Sequence, residues 1–178
     1  MQDLISRLKE KYDIKEIYYK KQELTFLAIE PKYLVSFLTH LRDIESFTHL
    51  SFLTAVDRIE DNKFQLTYML HNYNQKIDLG VKVYIDREAA EMESIHHLWE
   101  QAATYQRELN EMFGLSFPGS PRLNQDFILE GWDNKPPMRR DFKTKEYSEE
   151  TYFPRPGRET HDPETYMREK MYPESEEE

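Results

Sequence analysis

The sequence predicts an α+β fold: a mostly antiparallel sheet with helices packed on one face, followed by an extended proline-rich C-terminal segment. Alternating apolar and polar residues fill several closely spaced segments in the middle of the chain. Apolar residues at helical spacing occur before and after those segments, and prolines and glycines interrupt any regular pattern from Pro118 onward. Clean alternation is typical of antiparallel strands with one covered face.

The first part of the chain alternates between helical and strand-like segments. Residues 3–12 predict a short helix and residues 23–30 predict a strand. Pro31 suits the first position of a second helix. The apolar residues of that helix recur at intervals of three and four: Leu34, Phe37, Leu38 and Leu41.

Three further strands are predicted, and they begin at Phe47, Lys63 and Ile77. The second and third of them alternate with a period of two, which places their apolar residues on one side. Asp61 and Asn62 supply turn residues between the first two strands. These strands therefore favour a hairpin-rich sheet.

A longer helix is predicted over residues 94–113, with Ser94 as the N-cap and Gly114 just after the C-terminus. Its apolar residues form one stripe: Ile95, Leu98, Trp99, Ala102, Tyr105, Leu109, Met112 and Phe113. We assign residues 1–117 to one α+β domain that includes this helix.

Two segments follow the domain. Residues 118–142 are rich in proline and glycine, and we interpret them as a docking segment. Residues 143–178 contain no Leu, Ile, Val or Ala and hold 11 acidic and 6 basic residues, half of the net charge of −10. Such a segment buries too little apolar area to offset its ordering entropy. We expect an extended acidic tail that is either ordered by a partner or disordered.

The composition excludes several classes of function. A net charge of −10 disfavours nucleic acid as a partner, because phosphate binding needs clustered Lys and Arg. The absence of cysteine removes disulfides, thiolate nucleophiles and cysteine-ligated metal centres. No apolar run spans a bilayer and no apolar signal segment follows Met1, so we expect a soluble, cytoplasmic protein.

The sequence offers little support for a freestanding enzyme. No nucleotide-binding loop or nucleophile-elbow motif is present. His96 and His97 are adjacent on the predicted helix and point about 100° apart, so they do not easily bind one ion. A surface or capping role for this pair is the better interpretation. A small enzyme that uses His or carboxylate chemistry remains an alternative, which turnover by the purified chain would establish.

Charged residues mark two candidate interfaces. Arg107 and Glu108 lie off the apolar stripe, where Arg107 either pairs with Glu111 four residues later or meets a partner across an interface. In the docking segment, Trp132 and Phe142 flank two prolines and the run Arg139-Arg140-Asp141. That segment is either a surface loop pinned by its aromatic residues or a binding loop, since Trp and Arg are enriched at binding hot spots.

Taken together, these residues resemble the 30-kDa subunit family of respiratory complex I, also called the C-type subunit of NADH-quinone oxidoreductase. The segment SIHHLWEQAATYQRELNEMFGLSF carries three pairs that match the family in order and spacing: Leu98-Trp99, Arg107-Glu108 and Phe113-Gly114. A second block matches further along: Trp132, Pro137 and Arg139-Arg140-Asp141-Phe142. The resemblance covers roughly residues 47–142. Between the blocks, residues 119–125 read GSPRLNQ where the family usually has Gly-His-Pro-Asp-Leu-Arg-Arg.

The resemblance implies a peripheral-arm subunit that carries no cofactor and holds a large catalytic subunit of the 49-kDa type beside small subunits that carry iron–sulfur clusters. It implies a position on the cytoplasmic face of the cell membrane, attached only through the complex. Because residues 119–125 depart from the family, the equivalent subunit of a membrane-bound nickel–iron hydrogenase or formate hydrogenlyase stays open. The residues expected at the subunit interface are Arg107, Glu108, Trp132, Arg139, Arg140, Asp141, Tyr152 and Phe153.

Overall fold

The computed structural model describes residues 1–152. Met1–Phe142 form one compact unit, and the chain from Lys143 onward belongs to a second. In chain order the elements are α1 (Gln2–Lys11), β1 (Glu16–Tyr19), β2 (Leu24–Ala28), α2 (Leu34–Asp43), β3 (His49–Arg58), β4 (Lys63–Asn72), β5 (Ile77–Asp86), α3 (Ala102–Phe113) and α4 (Thr144–Tyr152), with one-turn 3-10 helices at Pro31–Tyr33 and Ile59–Asp61.

The five strands form one sheet in the order β1-β2-β5-β4-β3. Every neighbouring pair is antiparallel except β2 and β5, which are parallel. The predicted α+β fold with a mostly antiparallel sheet is therefore confirmed. The short edge strand β1 was not predicted, because its residues are largely exposed and lack the alternation that marks a half-buried strand.

The two faces of the sheet differ in burial. On β4 the residues that face the core are fully buried: Phe64, Leu66, Tyr68 and Leu70. The opposite face is only partly covered, and one row of residues in register crosses it through all five strands: Tyr18, Phe26, Gly80, Met69 and Phe52. The ring of Phe26 lies over Gly80, in the space that a side chain at this position would occupy.

Helices α1 and α2 bury their apolar residues in the same core as the sheet. The buried residues are Leu4, Ile5 and Leu8 of α1 and Leu34, Phe37, Leu38 and Leu41 of α2. Just after α1, the ring of Tyr12 meets that of Phe37 edge-on at 4.8 Å. The spacing of apolar residues predicted both helices because each has a single buried face.

Helix α3 occupies only the later part of the helix predicted over residues 94–113. Residues 95–101 form separate turns, and two of their side chains bind carbonyl groups at the start of β3 and just before it. The indole N–H of Trp99 donates to the Thr48 carbonyl at 2.9 Å. The side-chain amide of Gln101 donates to the Leu50 carbonyl. These bonds satisfy carbonyl groups that an edge strand would otherwise leave exposed. The predicted end is correct, since Gly114 adopts the left-handed conformation at φ +71°.

The start of the C-terminal tail is helical, which corrects the prediction of an extended tail from residue 143. Helix α4 forms because residues 144–152 contain neither proline nor glycine. Lys143 pairs with Glu146 at 2.8 Å, and Lys145 pairs with Glu149 at 3.9 Å. The prolines that predicted an extended chain begin at residue 154, and residues 153–178 lie outside the described part.

Candidate subunit interface

The docking segment ends in a cluster of bonds to the sheet domain, beginning with Arg139. Its Nε donates to the carbonyl oxygen of Phe113 at 2.7 Å, at the C-terminus of α3. Its guanidinium carbon lies 5.1 Å from the centre of the Phe64 ring. A cation at this end of a helix is stabilised by the last free carbonyl groups. Arg139 therefore contacts its own chain twice, through its Nε and through the face of its guanidinium.

Arg140 and Asp141 are also engaged within the chain. The backbone N–H of Arg140 donates to Asp57 Oδ2 at 2.9 Å, and its guanidinium pairs with Glu60. Asp141 accepts hydrogen bonds from Arg87 at 2.6 Å and from Lys135 at 2.8 Å. The run that the sequence marks as an interface thus fastens the docking segment to the sheet.

Arg87 is the centre of this cluster. It follows β5 directly and donates to both carboxylate oxygens of Asp57, at 2.8 and 3.0 Å, as well as to Asp141. Asp57 lies near the end of β3 on the core face, and its side chain is only 1% exposed. A buried carboxylate is stable only when it is paired and hydrogen-bonded. Arg87 and the docking segment supply those partners.

The charges of the cluster stabilise one another. Burial raises the pKa of Asp57, but the hydrogen bonds from Arg87 and from the Arg140 backbone outweigh it, so this pKa lies below its usual value. Lys135, followed by Arg87, lowers the pKa of Asp141 to about 2 although partial burial opposes the change. The hydrogen bond to Asp57 raises the pKa of Arg87. All three groups are therefore charged at neutral pH.

Trp132 closes the docking segment on itself. Its indole N–H donates to the Lys135 carbonyl at 3.1 Å, and its ring centre lies 5.7 Å from that of Phe142 at an interplanar angle of 57°. Both aromatic residues are half-buried. The expectation that the aromatic residues pin this loop agrees with the geometry, while their contact with a partner stays a prediction.

Arg107 and Glu108 are half-buried and are not among the fully buried residues of α3. Arg107 and Glu111 do not form an ion pair. Glu111 accepts hydrogen bonds from the backbone N–H groups of Phe127 at 2.6 Å and Ile128 at 2.9 Å. The Arg107 guanidinium instead lies over the ring of Phe127, at 5.2 Å from its centre. Glu111 thereby holds the loop on which Arg107 stacks.

Electrostatics support this role of Glu111. Burial raises its pKa, but the backbone hydrogen bonds from Phe127 and Ile128 lower it more, with a smaller contribution from the charge of Arg107. The net result is a pKa below the usual value. Glu111 is therefore an ionised anchor for the loop at neutral pH.

The remaining predicted site residues lie at the end of the described chain or beyond it. Tyr152 is the last residue of α4, and Phe153 lies outside the described residues. His96 and His97 have rings 6.1 Å apart and nearly perpendicular. Across residues 1–152, no three His, Asp or Glu side chains are arranged to hold a metal ion, and no helix is long and apolar enough to cross a membrane.

Sequence reasoning missed Asp57, Arg87 and Phe127 as parts of the site. Asp57 carried a usable signal, because it occupies an inward position of an alternating strand, where a charge requires a buried partner. Arg87 and Phe127 carried none, because their roles depend on contacts with residues far away in the chain. The sequence therefore identified the segments of the interface better than their bonds.

Comparison with known proteins identifies relatives over most of the described chain. Residues 27–148 match the family described as respiratory-chain NADH dehydrogenase, 30 Kd subunit. The C-type subunit of NADH-quinone oxidoreductase from Moorella thermoacetica is 32% identical over 117 residues, which cover 66% of this chain and 78% of that protein. The mitochondrial NADH-ubiquinone oxidoreductase 30.4 kDa subunit of Neurospora crassa is 33% identical over 135 residues, 74% of this chain and 47% of that protein.

Two solved structures share the fold. A chain of the membrane-bound sulfane sulfur reductase, an archaeal respiratory membrane complex, superposes with a TM-score of 0.79 at 23% identity and covers 90% of this chain and 96% of its own. A trypsin-resistant fragment of Nqo5 superposes with a TM-score of 0.59 at 18% identity, over 67% of this chain and 96% of the fragment. At these identities the superpositions establish the fold alone.

Proposed function

Because this chain belongs to the family of the 30-kDa subunit of respiratory-chain NADH dehydrogenase, we propose that it is a cofactor-free peripheral-arm subunit of a complex I-like membrane oxidoreductase. In this role it scaffolds the large catalytic subunit and the small iron–sulfur subunits. Its place is the cytoplasmic face of the membrane, which it reaches only through the complex.

The observation that carries the proposal is the extent of the family match. Residues 27–148 include most of the sheet domain, helix α3 and the whole docking segment, so the likeness covers the parts that the ion cluster joins. A compact unit of this kind suits a subunit that fixes the positions of others. The absence of cysteine from the sequence also favours a role without iron–sulfur ligation in this chain.

A second candidate is the equivalent subunit of a membrane-bound nickel–iron hydrogenase, formate hydrogenlyase or related respiratory complex. Residues 119–125 favour it, since they lack the histidine and the basic pair that the quinone-reducing family usually has. The fold shared with the chain of the sulfane sulfur reductase is compatible with this candidate. Both candidates give the chain the same scaffolding role and differ in the electron donor and acceptor.

Purification of the native assembly tests the proposal. An antibody against this chain, used on membranes dissolved in mild detergent, is expected to recover a large catalytic subunit and iron–sulfur subunits in fixed stoichiometry. Iron should be present in the assembly and absent from the purified chain. Recovery of the native chain as a free monomer, or stoichiometric iron or flavin on the chain alone, would overturn the proposal.

Activity of the recovered assembly separates the two candidates. NADH-dependent reduction of a quinone supports the first, whereas hydrogen evolution or reduction of sulfane sulfur supports the second. The subunits identified by mass spectrometry provide an independent check on either result.

A further inference from the structure

The structure separates the charged residues of the predicted interface into two groups. Arg139, Arg140 and Asp141 bind groups of their own chain. The side chains of Arg107 and Glu108 form no hydrogen bond or ion pair with any residue in the described range 1–152. We propose that this pair is the docking point for a partner subunit that presents a carboxylate to Arg107 and a cation to Glu108. The inference rests on the proposed function and adds the chemistry of the contact.

Arg107 is held in place without a direct ion pair among the described residues. Its guanidinium stacks on Phe127, and its Nε is shielded from solvent without a hydrogen-bond partner among the described residues. A buried donor without a partner is unfavourable for the isolated chain. The fold nevertheless keeps the guanidinium against the ring rather than free in water. An arginine held against a ring, whose Nη groups bond to no described residue, is well suited to a carboxylate, because its planar fork forms two parallel hydrogen bonds.

Neighbouring charges favour a protein partner over a small anion. Glu108 lies beside Arg107, and Glu111 on the same side of α3 is ionised. A phosphate or sulfate ion at Arg107 would be repelled by both carboxylates and would bring no cation to Glu108 to offset that repulsion. A polypeptide that carries opposite charges in the complementary order satisfies Arg107 and Glu108 together. Such complementarity sets the orientation and specificity of a contact.

Exposed apolar residues whose backbones are bonded to α3 support the same conclusion. Ile128 is 67% exposed and Met138 is 57% exposed, although both backbones are fixed to α3. The N–H of Ile128 is held by Glu111, and the N–H of Met138 donates to the Met112 carbonyl at 3.0 Å. We call Arg107, Glu108, Phe127, Ile128 and Met138 the α3 surface. Apolar side chains near a charge exclude water when a partner binds, which strengthens the ion pair.

Assembly of the complex tests the α3 surface. The full-length variant R107M keeps a chain that can lie on Phe127 but removes the cation, and R58M is the matched control because Arg58 pairs with the exposed Asp61. We expect R107M to lower recovery of the assembled complex at least about tenfold. R58M should assemble as the wild type does. Normal assembly of R107M would overturn the inference, whereas failure of the wild-type chain to copurify with partners would overturn the proposed function.

Photo-crosslinking gives a result that does not depend on the stability of R107M. A photoreactive amino acid at Ile128 should crosslink to a partner subunit in the intact complex. The control position is Val56, which is 49% exposed on the other face of the sheet and should not give the same product. The crosslinked partner peptide should contain an acidic residue. A lack of crosslinks at Ile128 in an intact complex would exclude the α3 surface.

Discussion

Arg87 holds Asp57 through two hydrogen bonds, of 2.8 and 3.0 Å, and through a third bond it holds the docking segment at Asp141. The carboxylate of Asp57 is buried, so these partners are required rather than optional. The docking segment is therefore part of the folded unit. Its aromatic and charged residues are presented from a fixed position, which reduces the entropy lost when a partner binds.

Removal of Arg87 should destabilise the whole unit. In R87M the carboxylate of Asp57 stays buried without its cation, and we expect the free energy of unfolding to fall by about 3 kcal/mol. R58M removes an exposed ion pair, so its loss should be below about 1 kcal/mol. Urea unfolding followed by circular dichroism measures both. Equal losses in the two variants would show that the Asp57 cluster has no special role.

The same cluster predicts how stability depends on pH. The pKa of Asp141 is about 2 in the folded chain, below its ordinary value of 3.8. The ionised Asp141 therefore contributes fully to the free energy of unfolding above about pH 3.8, and this contribution is lost as the pH falls towards 2. D141N should remove this part of the acid sensitivity, on the order of 1 kcal/mol after solvent screening.

The control for D141N is D133N, which changes an exposed carboxylate of the same segment. Unfolding free energies measured from pH 6 down to pH 2 should give a flatter curve for D141N than for D133N. Parallel curves for the two variants would contradict the assignment of Asp141 to the cluster.

The elements that the sequence predicted are those with a local pattern. Alternation located β4 and β5, the spacing of apolar residues located α2, and Gly114 located the end of α3. The pairing of β2 with β5 in parallel joins segments far apart in the chain, which no local pattern records. The same holds for the site, since the Arg140 backbone and Asp57 are 83 residues apart.

The late start of α3, at Ala102 rather than near residue 95, has a similar origin. Trp99 and Tyr105 carry apolar rings that fit a helical stripe, but their polar atoms bind carbonyl groups at the edge of β3. Helical spacing shows which residues are buried and does not show which hydrogen bonds they form. The prediction was therefore correct that Trp99 and Tyr105 pack against the core. It was wrong about the backbone conformation of residues 95–101, which form turns.

Tyr105 offers a test of this edge contact. Its hydroxyl donates to the Ser51 carbonyl at 3.0 Å, and Y105F would leave that carbonyl without the bond. We expect a loss of about 1 kcal/mol in the free energy of unfolding. Y84F is the matched control, because the Tyr84 hydroxyl makes only a long contact of 3.4 Å with Glu16 at the surface. A larger loss for Y84F would argue against a stabilising role of the edge contact.

Glu111 and Glu108 allow folding and docking to be separated on one helix. E111Q removes the charge that accepts the N–H groups of Phe127 and Ile128, so we expect the free energy of unfolding to fall by about 2 kcal/mol. E108Q neutralises a carboxylate without a described partner, so the stability of the isolated chain should change by less than about 0.5 kcal/mol. Urea unfolding of the two variants gives this comparison.

Assembly should rank the same variants differently. E108Q leaves the fold intact and removes one half of the complementary pair, so it should weaken recovery of the complex although it is as stable as the wild type. E111Q loosens the loop under Arg107 and should reduce both stability and assembly. If E108Q assembled normally while E111Q did not, the α3 surface would depend on the fixed loop and Arg107 alone, and the proposed cation opposite Glu108 would be wrong.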